Sequence, residues 1–335
     1  MVNLLPDAEQ SEIIARTRAL LESELALSRF KQDGSAPTPH HLRLWPLMAQ
    51  AGWFGIAIDD AHGGVGLGLV EEMLVFRELG RVLASPAILA TALASRLAAT
   101  AKPEMAERFI QGQAVVAPVL RHASGSDMVF DGEGCSHLLW WTDDEAALLE
   151  RPAPGELVEA IGFDDTVQLS RGVVGAVTPL IRTDCSRLPL HRIATVLTSA
   201  MLVGMAETLT DAATEHARNR QQFGRPIGEF QAVKHACVDM KMRAEVAFWQ
   251  TALAAIEQGR AGASAGFHVA SAKLLAVDAA IKNAAAAIQV HGGMGFTAEA
   301  GLHSFLRRAH LLDRLGGGRR HHQRLLLAEP AVEPG

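Results

Sequence analysis

Apolar positions in residues 7–112 recur at the spacing of buried helix faces. Hydrophobic side chains repeat there at i, i+3/i+4 and i+7, which places them on one side of an α-helix. The predicted helices contain the stripe Ile13, Ile14, Thr17, Leu20 and Leu21, followed by Leu42–Ala51, Val70–Leu83 and Ala87–Ala101. We therefore expect an N-terminal helical domain over residues 1–112.

The pattern changes after residue 112. Short apolar runs, Ala114–Ala117 and Leu138–Trp141, are separated by turn residues such as Gly125-Ser126 and Asp131–Gly134. Short strands between tight turns are typical of a small β domain, predicted over residues 113–187.

Long helical patterns return at Leu188 and predict a C-terminal helical bundle domain over residues 188–330. Its three stripes are Leu202, Met205, Leu209, Ala213 and Ala217; Val233, Cys237, Met240, Ala244 and Phe248; and Leu274, Val277, Ile281, Ala285 and Ile288. The predicted fold is mainly α with a small β domain.

Composition agrees with packed helices and narrows the class of partner. The 335 residues are 49% hydrophobic and 5% aromatic, with no tyrosine, so alanine and leucine supply the core. A net charge of -6 disfavours a dominant electrostatic grip on nucleic acid.

Cysteine usage and the apolar segments predict a cytoplasmic protein. Cys135, Cys185 and Cys237 are too few and too scattered for a disulfide framework, and they form no CxxC pair for zinc. Met1–Arg18 carries carboxylates and no apolar core, so no signal peptide is expected. Ala194–Ala206 is too short to span a bilayer, and we expect no membrane partner.

Two segments carry candidate chemistry. In Arg218–Gln231 a cationic helix end, a Gly/Pro turn and a new helix start follow one another, so Arg220 could clamp a phosphate; a solvated basic turn is the alternative. Gln289–Thr297 has three glycines after an apolar helix, which allow close approach to a ligand or serve as a helix C-cap. His321-His322 suggests no metal site, because adjacent residues point to different sides of a helix.

Together these segments resemble the acyl-CoA dehydrogenase family. Residues 220–231 match R-x-x-F-G-x-x-I-x-x-F-Q, and residues 289–296 match Q-x-x-G-G-x-G-F. Gly52–Ile56, Gly63–Leu67 and Phe76–Arg81 are similar to its N-terminal helical domain. The resemblance covers nearly the whole chain and implies a helical domain, a middle β domain and a C-terminal four-helix bundle.

The resemblance also implies FAD as cofactor, held between two subunits. The residues that match the neighbouring subunit's contacts to the ADP half of FAD are Arg220, Phe223, Gln231, Gln289, Gly292 and Gly293. On the flavin side, the family's Thr-Glu-Pro turn is replaced by Leu120-Arg121-His122, while Gly125-Ser126-Asp127 is kept. The family's W-I-T strand has no counterpart, and the β domain is truncated, so the flavin cradle is expected to be lost.

The family's catalytic base is missing as well. Its glutamate falls at Gly317 or Gly316 in two alignments, its alternative position falls at Ala194, and Arg319 replaces a flavin-contacting threonine. Asp313 is acidic, but it lies three or four residues early and is interpreted as a surface or helix-end aspartate.

These losses imply a non-catalytic subunit of a hetero-oligomeric acyl-CoA dehydrogenase. The expected partner is a longer homologue, in a heterotetramer that acts on an acyl-CoA, of fatty acyl or steroid type, and passes electrons to an acceptor. Two alternatives remain: a self-sufficient homomeric enzyme that uses Asp313 as base, and a non-enzymatic helical scaffold.

Overall fold

A computed structural model describes residues 4–27, 40–122, 125–186 and 188–328. The helices within these ranges are α1 Ala8–Glu24, α2 His40–Gln50, α3 Leu69–Arg81, α4 Pro86–Ala101, α5 Pro103–Ile110, α6 Leu190–Asn219, α7 Gln231–Gly259, α8 Ala265–His291, α9 Leu302–Arg314 and α10 Arg319–Ala328. The strands are β1 Val116–Leu120, β2 Asp127–Phe130, β3 His137–Trp141, β4 Glu145–Glu150, β5 Val158–Ala160, β6 Leu169–Gly172, β7 Ile181–Asp184, β8 Gln221–Gln222 and β9 Arg225–Pro226. The predicted fold class, mainly α with a small β domain, is confirmed.

The chain forms two compact units. The sheet unit takes the described residues of Gly34–Glu72 and Ala84–Leu197. The helical unit takes those of Met1–Asp33, Met73–Leu83 and Thr198–Gly335. The three-domain division at residues 112 and 187 stays a prediction.

The sheet unit is built on seven strands in the order β5-β6-β2-β1-β3-β4-β7. β1 and β3 run parallel, with Val116 opposite His137, and the other neighbours are antiparallel. Helix α4 packs on β1, where the Val116 N–H donates a 3.0 Å hydrogen bond to Thr91 Oγ1. Side chains from several strands form one core cluster, which contains Ala117, Val119, Val129, Cys135, Leu138, Trp140, Ala147, Leu149 and Val174.

In the helical unit, α8 packs against α7, α9 and α10. The predicted stripe of α6 is buried throughout, and that of α7 is buried from Met240 onward. The predicted stripe of α8 is wrong, because only Val277 of its members is buried. The buried face carries mainly alanines, with Lys273 and Asn283. Three packed neighbours leave room for small side chains only, so the core lies on the alanine face.

Small residues also set the contact between α3 and the part of α6 in the helical unit. A Cβ on Gly80 would lie 2.0 Å from the Met201 carbonyl oxygen, and one on Gly204 would lie 1.9 Å from that of Arg77. Beside this contact, Arg77 Nη2 lies 2.6 Å from a Glu207 carboxylate oxygen. The two helices therefore approach at backbone distance and are joined by an ion pair.

One helix, α6, is long and apolar enough to cross a membrane by length and composition. Its most apolar window is 89% buried within the protein, as in the core helix of a globular protein.

Candidate functional site

The arginine corner is the connection from α6 to α7. The Arg220 N–H donates a 2.8 Å hydrogen bond to the His216 carbonyl, and the Arg220 carbonyl accepts one of 2.8 Å from the Ile227 N–H. The backbone of Arg220 is thus fixed from both sides while its side chain is exposed. The predicted projection of Arg220 at a corner agrees with this geometry.

A tight β-hairpin, not a plain helix turn, forms the tip of this corner. Strands β8 and β9 pair across Phe223-Gly224, whose φ angles are 54° and 76°. A bulky residue in the left-handed region is strained, and such strain concentrates at functional sites. Phe223 is 92% exposed, and its ring meets Phe230 edge-on at 6.1 Å. The hairpin therefore displays an aromatic ring to solvent next to Arg220.

The start of α7 adds hydrogen-bond donors to the corner. Gln231 is the first residue of this helix and is exposed. The N-cap residue Phe230 provides no side-chain cap, and its carbonyl accepts hydrogen bonds from the Val233 and Lys234 N–H groups, so the N–H groups of Gln231 and Ala232 are the ones that face a ligand. The N-terminus of a helix favours negative charge, and this end of α7 suits a phosphate.

The amide–glycine loop follows α8. Gln289 is exposed in the last turn, and Gly292–Phe296 forms a 3₁₀ turn. A Cβ built on Gly292 or Gly293 would meet no atom within 4 Å, so the backbone there lies open. A Cβ on Gly295 would instead lie 2.4 Å from the Ile288 carbonyl oxygen. One glycine thus lets the turn pack on α8, while two present an open backbone surface.

A stacked histidine pair joins the arginine corner to the amide–glycine loop. The rings of His216 on α6 and His291 on α8 stack at 4.1 Å with an interplanar angle of 22°. Both side chains are half-buried. His216 lies four residues before Arg220, and His291 immediately precedes Gly292. The pair thus places the last turns of α6 and α8, after which the two predicted segments begin, next to each other.

The positions predicted for the family's base hold no carboxylate. Gly316 and Gly317 lie in a turn with φ angles of 75° and 95°. A Cβ on Gly317 would lie 2.2 Å from His321 Cδ2. Ala194 is 1% exposed on α6. Neither place has room for a glutamate without rearrangement.

Asp313 lies near the end of α9 and is half-buried. It is a helix-end residue as predicted, but its Oδ1 is buried and has no hydrogen-bond partner. Its charge acts on a group that the sequence reasoning missed, Lys273. The fully buried Nζ of Lys273 donates hydrogen bonds to Thr198 Oγ1 at 3.2 Å and to the carbonyls of Leu312 and Leu315 at 2.6 and 3.1 Å.

Burial lowers the pKa of Lys273 to about 7, and the opposite charge of Asp313 counters part of that fall. His322, on α10, is also buried, and burial followed by the charge of Lys273 lowers its pKa to about 3. The backbone of Gly316 and Gly317 acts on this ring in the opposite direction and raises its pKa. The sequence contains one indication that Lys273 is unusual, because this lysine interrupts the alanine-rich face of α8.

On the sheet unit, the retained Gly125-Ser126-Asp127 has a structural task. The buried carboxylate of Asp127 accepts hydrogen bonds of 3.1 Å from Arg121 Nε and from the N–H groups of His122 and Val174. The guanidinium of Arg121 also lies 5.0 Å from the centre of the Trp140 ring. The segment predicted to have lost its flavin contact thus carries Arg121, whose charged side chain is engaged by Asp127 and Trp140.

Among the described residues, the remaining candidates, a metal site and reactive cysteines, are not supported by the arrangement of their side chains. No group of three or more His, Cys, Asp or Glu side chains there could hold a metal ion. Burial raises the pKa of Cys135 to about 11 and raises that of Cys185, so these thiols stay protonated.

Sequence comparisons identify the family. Residues 7–115 match the model of the acyl-CoA dehydrogenase N-terminal domain, and residues 185–331 match that of the C-terminal domain. The acyl-CoA dehydrogenase IpdE2 of Mycobacterium tuberculosis is 32% identical over 271 residues, which cover 80% of this chain and 80% of IpdE2. The chain belongs to the acyl-CoA dehydrogenase family.

Another relative, the acyl-CoA dehydrogenase FadE34 of Mycobacterium tuberculosis, is 33% identical over 319 residues. These cover 91% of this chain but 43% of FadE34, so the chain spans less than half the length of that relative.

Solved structures agree on the fold. The ChsE4-ChsE5 complex of Mycobacterium tuberculosis matches with a TM-score of 0.81 at 20% identity, over 99% of this chain and 100% of that one. A variant of the Tcur3481-Tcur3483 steroid ACAD matches with a TM-score of 0.78 at 21% identity, over 95% and 96%. PigA with FAD and proline matches with a TM-score of 0.82 at 19% identity, over 97% and 98%. FAD is the cofactor of this acyl-CoA dehydrogenase chain.

Proposed function

We propose that this chain is a subunit of an FAD-dependent acyl-CoA dehydrogenase and binds the ADP half of an FAD whose flavin belongs to a partner subunit. One observation carries the proposal: the stacked His216–His291 pair unites the arginine corner with the amide–glycine loop. The positions matched to the family's base, meanwhile, hold Gly316, Gly317 and Ala194.

The residues of the corner fit a diphosphate ester of adenosine. The exposed guanidinium of Arg220 offers paired donors to a phosphate, and the start of α7 adds backbone N–H groups. The open backbone at Gly292-Gly293 allows close approach, while Gln289 supplies an amide. Phe223 presents a ring on which a base can stack.

The flavin half does not fit this chain, so the chemistry is assigned to the partner. When bound, FAD supplies the hydride acceptor for the β hydrogen of an acyl-CoA thioester. Removal of the α proton requires a carboxylate base, which the partner would provide. The contacts of Arg121 with Asp127 and Trp140 occupy the segment where the family's flavin-contacting turn would lie.

The proposed partner is a longer homologue, in a heterotetramer of two copies of each. ChsE4-ChsE5 and Tcur3481-Tcur3483 are complexes of two differently named chains and share this fold. Val238, Met242 and Val246 follow one side of α7 and are each more than half exposed. An apolar stripe of this kind is typical of an interface. A fatty acyl or steroid CoA substrate, a separate electron acceptor and a cytoplasmic location complete the proposal.

A second candidate function is a homomeric enzyme with its own base, and the environment of one Asp313 oxygen favours it. Oδ1 of Asp313 is buried without a hydrogen-bond partner, so it has an open site for a proton. A non-enzymatic scaffold is disfavoured, because packing alone gives no reason to keep an exposed arginine beside an open glycine loop.

The test is FAD retention and flavin count in the complex co-purified with a longer homologue. We expect two FAD per heterotetramer, and Arg220→Ala should weaken FAD binding by about 10- to 100-fold without unfolding the chain. Arg260→Ala, an exposed change just after α7, is the matched control. Four FAD per tetramer, or full retention by Arg220→Ala through dialysis, would contradict the proposal.

A further inference from the structure

The stacked pair of His216 and His291 can be protonated, and it lies next to the proposed ADP-half site. His291 Nδ1 lies 2.8 Å from the Ala287 carbonyl oxygen, so the hydrogen of the neutral ring is on Nδ1 and a further proton would go to Nε2. The ring centres lie 4.1 Å apart, so positive charge on both imidazoles at once would be repulsive. The pair can therefore gain one positive charge.

In the free chain the surroundings oppose that charge. The pKa of His216 is lowered, first by burial, then by His291 and then by Arg220. These are the groups that act on it from α8 and from the turn after α6, and both are cationic when protonated. At neutral pH the ring of His216 is therefore uncharged.

A bound diphosphate would reverse this balance. Phosphate oxygens on Arg220 would neutralise the cation that opposes protonation of His216 and would add negative charge close to the pair. One proton would then pass from the acid form of the buffer to an imidazole nitrogen, which leaves the buffer base. A proton taken up on binding strengthens binding as pH falls.

We propose that His216 and His291 form a proton-linked positioning element of the ADP-half site: the pair takes up a proton when a diphosphate binds at Arg220, and diphosphate affinity rises as pH falls. The inference rests on the proposed function, since it needs the diphosphate to bind at this corner. His216 and His291 are not among the six residues matched to the family's FAD contacts, and their role would make binding depend on pH.

The experiment is calorimetric titration of the full chain with ADP-ribose between pH 5.5 and 8. ADP-ribose is chosen because its diphosphate is esterified at both ends and has no group that titrates near neutral pH. Runs in two buffers of different ionisation enthalpy give the number of protons taken up. We expect affinity to rise about 3- to 10-fold from pH 8 to pH 6, with uptake of less than one proton per site.

His216→Phe keeps an aromatic ring stacked on His291 but removes the imidazole of His216. We expect the affinity of this variant for ADP-ribose to change less with pH. His291→Phe is the second variant, in case the first does not fold, and His62→Phe, at an exposed turn of the sheet unit, is the control. ADP-ribose binding that is independent of pH, or a pH dependence unchanged in both variants, would overturn the inference and leave the proposed function standing. Failure of the wild-type chain to bind ADP-ribose at any pH would overturn both.

Discussion

The Nζ of Lys273 donates a 2.6 Å hydrogen bond to the carbonyl of Leu312, so a fully buried amine from α8 holds the end of α9. The same nitrogen reaches the Leu315 carbonyl, the last residue before the glycine turn. The turn at which the family's glutamate was predicted to fall is thus anchored by a lysine in the core.

Lys273 makes stability depend on pH in a defined direction. Its pKa is lowered in the folded chain, so the unfolded chain binds the proton more tightly between about pH 7 and the ordinary lysine value. Stability should therefore rise with pH above 7, by up to about 1.4 kcal/mol per pH unit. Urea unfolding at pH 7.0 to 8.5 measures this slope. Lys273→Met should abolish it, whereas the exposed Lys282→Met on the same helix should not; equal slopes in all three chains would contradict the prediction.

His322 should control the acid side of the stability profile. Its folded pKa is about 3, below the ordinary histidine value, so the unfolded chain takes up the proton first as pH falls below about 6.5. Stability is lost as pH falls from that point. His322→Leu removes the titrating group, so its unfolding midpoint should fall less between pH 6.5 and 4.5. A midpoint as acid-sensitive as the wild type's would refute this origin.

Gly204 is predicted to tolerate replacement by alanine less well than Gly259. Gly204→Ala places a methyl group 1.9 Å from the Arg77 carbonyl oxygen, so α3 and α6 must move apart, at a cost of about 1 to 3 kcal/mol or more. Gly259→Ala, at the end of α7, meets no atom within 4 Å and should be neutral or stabilising. Denaturant midpoints compare the two. Equal effects would mean that the α3–α6 contact is looser than its geometry indicates.

Phe223 is expected to lower the stability of the folded chain and to strengthen ligand binding. Asparagine tolerates the left-handed conformation and is favoured before glycine in this hairpin type, so Phe223→Asn should stabilise the chain by about 1 kcal/mol. The same change removes the exposed ring and should weaken ADP-ribose binding. Thermal unfolding and calorimetry measure the two effects. A variant that gains stability and keeps its affinity would show that the ring has no part in binding.

Asp313→Asn separates the subunit from the self-sufficient enzyme. If the partner supplies the base, turnover by the assembled complex should change by no more than about threefold. A general base removed from the active site would cost about 10²- to 10⁴-fold. Flavin occupancy measured on the same sample ensures that a loss of rate is not a loss of cofactor. A collapse of turnover with full occupancy would make Asp313 the base.

Sequence reasoning succeeded where a segment carries its own structure. The helices around the arginine corner and the glycine turn after α8 depend on local residues, and both lie where they were predicted. The stacking of His216 on His291 depends on how α6 and α8 pack, which local spacing does not contain.

The buried face of α8 could not be read from periodicity either. Hydrophobic spacing selected Leu274 and Ile281, but crowding by three neighbouring helices selected alanines and Lys273. Lysine is rarely buried unless its ammonium finds partners, and those partners, the carbonyls that end α9, are distant in sequence. The glycines at the position predicted for the base were visible in the sequence, whereas the packing of His321 against Gly317 was not.

The ring of His321, next to Gly317, limits which residues this turn can accept. A glutamate introduced at Gly317 alone would place its Cβ 2.2 Å from that ring, on a backbone with a φ of 95° that only glycine adopts freely. A carboxylate could enter this turn only if the turn refolded and His321 moved at the same time. Access to this position by one substitution is therefore closed.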